Sequence, residues 1–238
     1  MEILLCSGYP TQIVLGKLLV LAGMAPWLPN GSTYWYGWPF PGLSTPAFSL
    51  SSTFVFVVSV ADTVVLLSLM VFLLRRRGER PLDVFFGGRR ALPEIGAGVL
   101  SVPFVVMVVV GLMLAIRRFL PALHNVPDNP LEGLIGTGAS LWMFLAVVIV
   151  AGGVREELQR AFLLHRFRGD LGQPWMGLFI TSLSFGMGHT LQGLDAALIT
   201  GALGAMWGAI YLTRGGALAS IVSHSLFNSG ELLRIFLR

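Results

Sequence analysis

Residues 51–74, SSTFVFVVSVADTVVLLSLMVFLL, decide the fold class, because this almost unbroken apolar run is followed at once by three arginines, Arg75 to Arg77. A helix needs roughly 20 apolar residues to cross the hydrocarbon core of a bilayer. A second run, PEIGAGVLSVPFVVMVVVGLMLAI at 93–116, has the same character and also ends at an arginine pair. Both runs predict helices that span a membrane.

The composition of the whole chain agrees with this prediction. Hydrophobic residues make up 55% and charged residues only 12%, and the mean hydropathy is +0.77. A soluble domain carries about 25% charged residues, so half that share cannot solvate a whole surface and lipid must cover much of it. The arginines lie in short clusters between apolar runs, as in loops between spans and unlike a nucleic-acid-binding groove. We therefore expect no nucleic-acid partner.

The same length criterion predicts an all-α, polytopic transmembrane helical bundle that forms one domain over residues 1–238. It comprises N-terminal spans within 1–136 and more polar helices within 137–238. We expect about seven spans, with six to eight compatible with the pattern, at 11–28, 51–74, 93–116, 137–165, 174–190, 194–213 and 215–236. The Pro- and Gly-rich stretch 29–46 and the polar stretch 121–132 are predicted loops.

The arginine clusters orient the bundle by the positive-inside rule. The 75–90 loop carries six arginines and is predicted to be cytosolic, together with Arg166, Arg168 and Arg214, whereas the pair at 117–118 argues the other way. This assignment places the N-terminus in the cytosol. The arginine-rich, nearly lysine-free composition suggests a GC-rich genome and hence a multi-pass protein of a bacterial plasma membrane.

Ionisable residues within the predicted spans mark candidate functional positions, because a charged side chain at the bilayer centre costs about 2.5–3.5 kcal/mol. Asp62 interrupts the 51–74 run, and there we favour a buried, paired carboxylate over a residue on a substrate path. Glu156 and Glu157 lie in the fourth predicted span, His189 late in the fifth and His224 in the seventh. Charges satisfied by water at a helix end, and buried hydrogen-bonded histidines, are the structural alternatives.

Helical spacing places several of these residues on shared faces. His224 and Asn228 are four residues apart and share one face, and Glu156 and Arg160 have the same relation and can therefore pair. A carboxylate in apolar surroundings is a usable general base. A histidine beside it can hold the same water, while an imidazole and a carboxamide can stabilise a developing oxyanion. These parts suit water attack on an amide or ester.

Other chemistries are compatible with the same residues. Glu156, His189 and His224 also form a plausible zinc set, with water as the fourth ligand. A proton- or cation-coupled transporter that uses these three residues is an alternative function, as is a non-catalytic immunity or scaffold protein. Transporters often show internal repeats and paired broken helices, and their absence from the sequence pattern favours the enzyme. His124 and His165 lie beside loops and arginines, and we expect them outside the site.

Three short motifs occur in a characteristic order. They are the Glu-Glu-x-x-Arg motif of residues 156–160, the FxxxH motif of Phe185 and His189, and the HxxxN motif of His224 and Asn228. Over roughly residues 137–232 this order resembles the CAAX-protease and bacteriocin-processing family, also called the abortive-infection family. The usual first motif of that family is EExxxR, so the arginine here is displaced by about 100° around the helix.

The resemblance implies an intramembrane endopeptidase with a set role for each motif residue. Glu156 would be the general base, with His189 helping to activate the water, and His224 and Asn228 would stabilise the oxyanion. Glu157, Arg160 and Phe185 would support them. With the shortened motif, either the arginine pairs with the first glutamate instead of the second, or the two carboxylates exchange roles.

The resemblance also bears on cofactor and substrate. Members of the family are called metalloproteases, whereas a metal-free glutamate mechanism is also argued for eukaryotic relatives, so zinc stays an open expectation. Family substrates are prenylated CAAX proteins in eukaryotes and leader peptides or membrane proteins in bacteria. We therefore expect a peptide or protein substrate within membrane lipid.

Overall fold

The computed structural model describes residues 1–19, 52–127, 132 and 138–237, and its regular elements over these residues are helices. Single 3₁₀ turns occur at Pro121–Leu123 and Thr190–Gln192, and a π-helical segment occupies Val148–Arg155. The α-helices are α1 (Glu2–Leu5), α2 (Tyr9–Leu19), α3 (Ser52–Arg76), α4 (Pro81–Phe86), α5 (Ala91–Phe119), α6 (Gly138–Val147), α7 (Glu156–Leu171), α8 (Pro174–Met187), α9 (Leu194–Arg214) and α10 (Leu218–Phe236).

The predicted all-helical class is confirmed for these residues, and the later helices lie where the apolar runs predict them. Within the described part of the chain, three helices are long and apolar enough to cross a membrane, at Val55–Arg76, Ala91–Phe119 and Leu194–Arg214. Only 11% of the most apolar window of α5 is buried, which suits a helix that contacts lipid. The count of seven spans stays a prediction. The end of the first predicted span, the whole of the 29–46 loop and part of the 121–132 loop lie outside the described residues.

One predicted helix is shorter than the apolar run indicates. The run at 174–190 predicts a helix that includes His189, whereas α8 ends at Met187 and His189 lies in the following turn. The backbone N–H of His189 there donates to the carbonyl of Gly186 at 2.9 Å, which is the tighter 3₁₀ pattern. Gly188 and Gly193 lie in this connection, and glycine weakens a continuing helix.

Helix α10 is the centre of the arrangement that carries the motif residues. It packs against α5 and against the π-helical segment, while α8 packs on α9 and α7 contacts both. The turn from α9 into α10 is tight because Gly215 adopts φ +72°, a left-handed conformation that glycine adopts readily. The backbone N–H of Ala217 then donates to the Phe85 carbonyl at 2.7 Å and anchors the turn on α4.

The arginine-rich loop, the N-terminus and the end of α7 meet at one end of the bundle. Arg166 is buried and contacts Glu2 at 2.8 Å and Glu79 at 2.7 Å. Arg77 bridges Glu2 and Asp170 from the exposed side. The predicted grouping of the 75–90 loop with the end of the fourth span is thus observed, whereas the compartment that this end faces stays a prediction.

Two carboxyl groups of this end have lowered pKa values. Burial alone raises the pKa of Glu79, but hydrogen bonds from His165 and Arg166 outweigh burial and lower it overall. The hydrogen bond from Arg77 lowers the pKa of Asp170. Both carboxylates therefore stabilise the fold above the ordinary carboxyl range, and this contribution is lost as the pH falls through the folded-state pKa.

At neutral pH we expect Glu79→Gln to lower the unfolding free energy by about 1–2 kcal/mol, because charge-assisted hydrogen bonds become neutral ones. Thermal unfolding in detergent between about pH 7 and pH 3 should then show a smaller acid-induced loss of stability in the variant than in the wild type. Glu231→Gln removes a carboxylate from an exposed pair with Arg234 and serves as the matched control. Identical pH dependence of the Glu79 variant and the wild type would contradict the assignment.

Candidate active site

The site begins at a change of helix type. The π-helical segment Val148–Arg155 joins α6 to α7 immediately before Glu156. Such segments have a wider turn than an α-helix and are frequent at functional sites. A Cβ atom added at Gly152 would lie 2.8 Å from Asn228 Nδ2, and one added at Gly153 would overlap the side chain of Ser225. The two glycines therefore allow α10 to approach the backbone that leads into the site.

Glu157 is the buried anchor of the site, with an exposure of 1%. Its Oε1 atom accepts hydrogen bonds from Arg160 Nη1 and, at 2.8 Å, from His224 Nδ1. Since a carboxylate accepts, Nδ1 of His224 carries a proton and the second ring nitrogen, Nε2, is directed elsewhere. Glu157 thus sets both the protonated nitrogen and the orientation of the imidazole.

Glu156 has a different environment although it is the adjacent residue. Its side chain is 21% exposed, and its Oε2 atom lies 3.9 Å from His224 Nε2. Its Oε1 atom lies 3.8 Å from Arg155 Nη1. Both separations exceed a direct hydrogen bond, so the oxygens of this partly exposed carboxylate stay open to solvent. The carboxylate is therefore placed for contact with water.

The pairing of Arg160 with Glu156, one of the two alternatives for the shortened motif, is not observed, because Arg160 pairs with Glu157. A spacing of three residues also places two side chains on one helix face, and it is Glu157 that faces α10. On its other side, the guanidinium carbon of Arg160 lies 4.6 Å from the centroid of the Phe185 ring, a cation–π distance. Arg160 is thus enclosed between a carboxylate of α7 and an aromatic ring of α8.

Phe185 connects both motif histidines. Its ring meets the His189 ring edge-on at 4.9 Å between centroids and the His224 ring at 6.1 Å. His189 Nδ1 donates to the Phe185 carbonyl at 2.9 Å, so its Nε2 is the nitrogen that remains available. Asn228, one turn beyond His224 on α10, faces Gly152. The predicted site residues of the three motifs therefore gather in one region, while their catalytic roles stay predictions.

Trp207 of α9 is a site residue that the sequence did not reveal. Its indole ring stacks on the His224 imidazole, with centroids 3.8 Å apart and an interplanar angle of 14°. The indole N–H donates to Ser223 Oγ at 3.1 Å, and Ser101 Oγ donates to the same oxygen at 2.8 Å. A large aromatic residue among the small residues of this helix was the only available signal, and it is equally typical of helix packing.

Arg155 is a second residue at the site that the three sequence motifs do not include. It is buried and donates a hydrogen bond to Asp62 of α3. The interpretation of Asp62 as a buried, paired carboxylate is thereby confirmed. His124 pairs with Asp195 at 2.7 Å and His165 with Glu79 at 3.1 Å, so each has a partner outside the three motifs, and their exclusion from the site stays a prediction.

The zinc set expected from the sequence consists of Glu156, His189 and His224. Among the described residues, no three or more His, Cys, Asp or Glu side chains are grouped so that they could hold a metal ion. His224 uses Nδ1 for Glu157, which leaves Nε2 as the nitrogen that could bind a metal ion. Zinc binding by Glu156, His189 and His224 therefore stays an untested expectation.

Comparison with known proteins supports the motif reading. A protein-family model described as type II CAAX prenyl endopeptidase Rce1-like matches residues 137–230. The match covers less than half of the chain, from the start of α6 into α10, and includes all three motifs. The resemblance inferred from the motifs is confirmed for this segment, and it indicates a membrane peptidase. Comparison with curated proteins and with solved structures gives no match.

The contact between the π-helical segment and α10 can be tested by adding one carbon atom. We expect Gly153→Ala to destabilise the protein by about 1–3 kcal/mol, because the new methyl group overlaps Ser225 in a packed interface. Gly111→Ala, in α5, is the matched control, because a Cβ atom there meets nothing within 4 Å. Thermal unfolding in detergent measures both, and equal stability of the two variants would show that α10 does not approach the segment this closely.

Proposed function

We propose that this chain is an intramembrane endopeptidase in which Glu156 activates a water molecule for attack on a peptide bond. One observation carries the proposal. A single imidazole, His224, is held by the buried Glu157 through Nδ1 and presents Nε2 to the partly exposed Glu156 at 3.9 Å. The match of residues 137–230 to a prenyl endopeptidase family supports the same reaction class.

The environments of the two glutamates support separate roles. Glu157 accepts hydrogen bonds from Arg160 and His224 and is enclosed, so its carboxylate holds the site together. Glu156 has water access and no direct ion pair of hydrogen-bond length among the described residues. We therefore assign Glu156 as the base and Glu157 as support, which retains the roles that the family resemblance implies despite the shorter EExxR spacing.

The proposed reaction needs only side chains of this chain. Glu156 takes a proton from water while the water oxygen bonds to the carbonyl carbon of the scissile peptide, with His189 Nε2 orienting the water. The Asn228 carboxamide donates to the oxyanion that develops, and His224 Nε2 donates as well when the ring carries a proton on both nitrogens, since Nδ1 already uses one for Glu157. The intermediate then collapses, the C–N bond breaks, and the proton on Glu156 passes to the leaving amine.

The surroundings favour this chemistry. Trp207 stacks on one face of His224 and Phe185 meets the same ring edge-on, so the imidazole has little freedom to turn. Aromatic side chains also lower the local dielectric constant, which strengthens each hydrogen bond to a developing charge. A preorganised site of this kind avoids the cost of reorienting water dipoles during the reaction.

The proposed function also indicates which substrates to test and which membrane the protein occupies. A peptide segment that reaches a site between α7 and α10 has to enter from lipid or from the bundle end, so prenylated peptides and leader peptides are the substrates to test first. We further propose that the protein lies in a bacterial plasma membrane with its arginine-rich end in the cytosol. Because arginine clusters are typical of cytosolic loops, the contacts of Glu2 with Arg77 and Arg166 support a cytosolic N-terminus.

Glu156→Gln should reduce kcat by about 100-fold or more while the unfolding temperature stays close to that of the wild type, because loss of a general base costs about 10²–10⁴-fold. Glu157→Gln should also lose activity, but with a clear loss of stability, because it leaves the buried Arg160 without its counter-charge. The assay is cleavage, in detergent, of a peptide library that includes a farnesylated CAAX peptide, read by mass spectrometry.

Glu231→Gln is the control for this series, since its carboxylate pairs with Arg234 at an exposed position away from the motifs. Cleavage by Glu156→Gln at the wild-type rate would falsify its role as base. No cleavage by the wild type, together with pH-dependent ion flux in liposomes, would instead identify a transporter. Metal analysis of the same preparation tests the zinc expectation separately.

A further inference from the structure

Asp62 lies far from the segment that matches the peptidase family, yet it reaches the site through one residue. It belongs to α3 and has an exposure of only 4%. One carboxylate oxygen accepts a hydrogen bond from Arg155 Nη2, and the other accepts one from Thr11 Oγ1 of α2 at 3.1 Å. Asp62 thus connects α2 and α3 to the residue that directly precedes Glu156.

Arg155 lies between the carboxylates of Asp62 and Glu156 and contacts them at different distances. Its Nη2 atom is in direct hydrogen-bond contact with Asp62, whereas its Nη1 atom stays 3.8 Å from Glu156 Oε1. Arg155 has an exposure of 8%, and a buried cation needs a counter-charge. Without Asp62, Glu156 would be the only carboxylate among the described residues that the structure places beside this guanidinium.

The charges around the site show what Asp62 contributes. Among the described residues around the site are the carboxylates of Asp62, Glu156 and Glu157. Asp62 is in direct contact with Arg155, and Glu157 is in direct contact with Arg160. Only Glu156 lacks a direct arginine contact. This division leaves one carboxylate with its oxygens available at 3.9 Å from His224 Nε2.

We propose that Asp62 is a positioning residue of the site, which acts on Glu156 through Arg155. By accepting the Arg155 hydrogen bond, Asp62 keeps the guanidinium from closing on Glu156 and leaves that carboxylate open to water beside His224. The role of Glu156 as a base rests on the proposed peptidase function. The linkage from Asp62 through Arg155 to Glu156 is independent of that function. The N-terminal helices thereby contribute to the site and do more than span the membrane.

The kinetic test compares Asp62→Asn, Arg155→Met and the double variant. We expect Asp62→Asn to reduce kcat by up to about 100-fold with KM within about twofold, because a small misplacement of a catalytic group is enough for such a loss. The double variant should be more active than Asp62→Asn alone, since the cation that closes on Glu156 is then absent. Asp62→Glu should retain more activity than Asp62→Asn, because Glu keeps the negative charge that holds Arg155, whereas the Asn amide oxygen accepts only a weaker hydrogen bond.

The control for these variants is Asp170→Asn, which breaks an exposed Asp–Arg pair with Arg77 at the arginine-rich end and should leave kcat unchanged. A merely structural role for Asp62 predicts the opposite pattern, in which the double variant is at least as impaired as Asp62→Asn. That pattern, or a wild-type kcat for Asp62→Asn, would overturn the proposal.

A second measurement is independent of cleavage. Unfolding in mixed detergent–SDS micelles is measured for Asp62→Asn, Glu156→Gln and both together, first with Arg155 present and then in the Arg155→Met background. We expect the changes in unfolding free energy caused by Asp62→Asn and Glu156→Gln to be non-additive when Arg155 is present. They should be additive when Met replaces Arg155, because both carboxylates interact with the same guanidinium. Additive effects in the presence of Arg155 would overturn the linkage. If the wild type cleaves no peptide, the peptidase proposal fails while this cycle still decides the inference about Asp62.

Discussion

A carboxylate that has been removed from water needs hydrogen bonds and a counter-charge, and Glu157 obtains them from two helices. Arg160 lies one turn further along α7, while His224 comes from α10. Separation of these helices would remove His224 from Glu157 and leave only Arg160 beside it on α7, and the loss of a hydrogen bond to a charged group costs about 1.5–3 kcal/mol. The packing of α7 on α10 and the orientation of the His224 imidazole are therefore consequences of one interaction, and the other site residues are arranged around it.

Close packing of α10 depends in turn on the backbone before Glu157. The π-helical segment supplies Gly152 and Gly153 at the positions that meet Asn228 and Ser225. A side chain at Gly153 would overlap Ser225 and push α10 away, which would also lengthen the distance from Glu157 to His224 of that helix. A local departure from α-helical geometry, with two residues that lack side chains, is thus the condition for the buried hydrogen bonds of the site.

Two adjacent glutamates acquire different properties from their surroundings alone. Glu157 is enclosed and bonded, whereas Glu156 keeps some exposure and contacts Arg155 and His224 only at 3.8 and 3.9 Å. Pairs of titratable groups in contrasting environments commonly divide the work of a hydrolytic site. Asp62 adds to this difference between the two glutamates, because it pairs with Arg155 and so leaves Glu156 without a direct arginine contact.

The membrane class, the helical fold and the identity of the motif residues follow from the sequence by itself, since apolar run length and residue type are local properties. The sequence also predicts that His124 and His165 lie outside the site, and it indicated a paired Asp62. It could not show that Arg160 pairs with Glu157, nor that Trp207 and Arg155 lie at the site. Those contacts depend on how each helix is rotated about its axis and where it ends. The π-helical segment changes that rotation immediately before the glutamates, so only the tertiary structure decided which carboxylate is buried and which faces water.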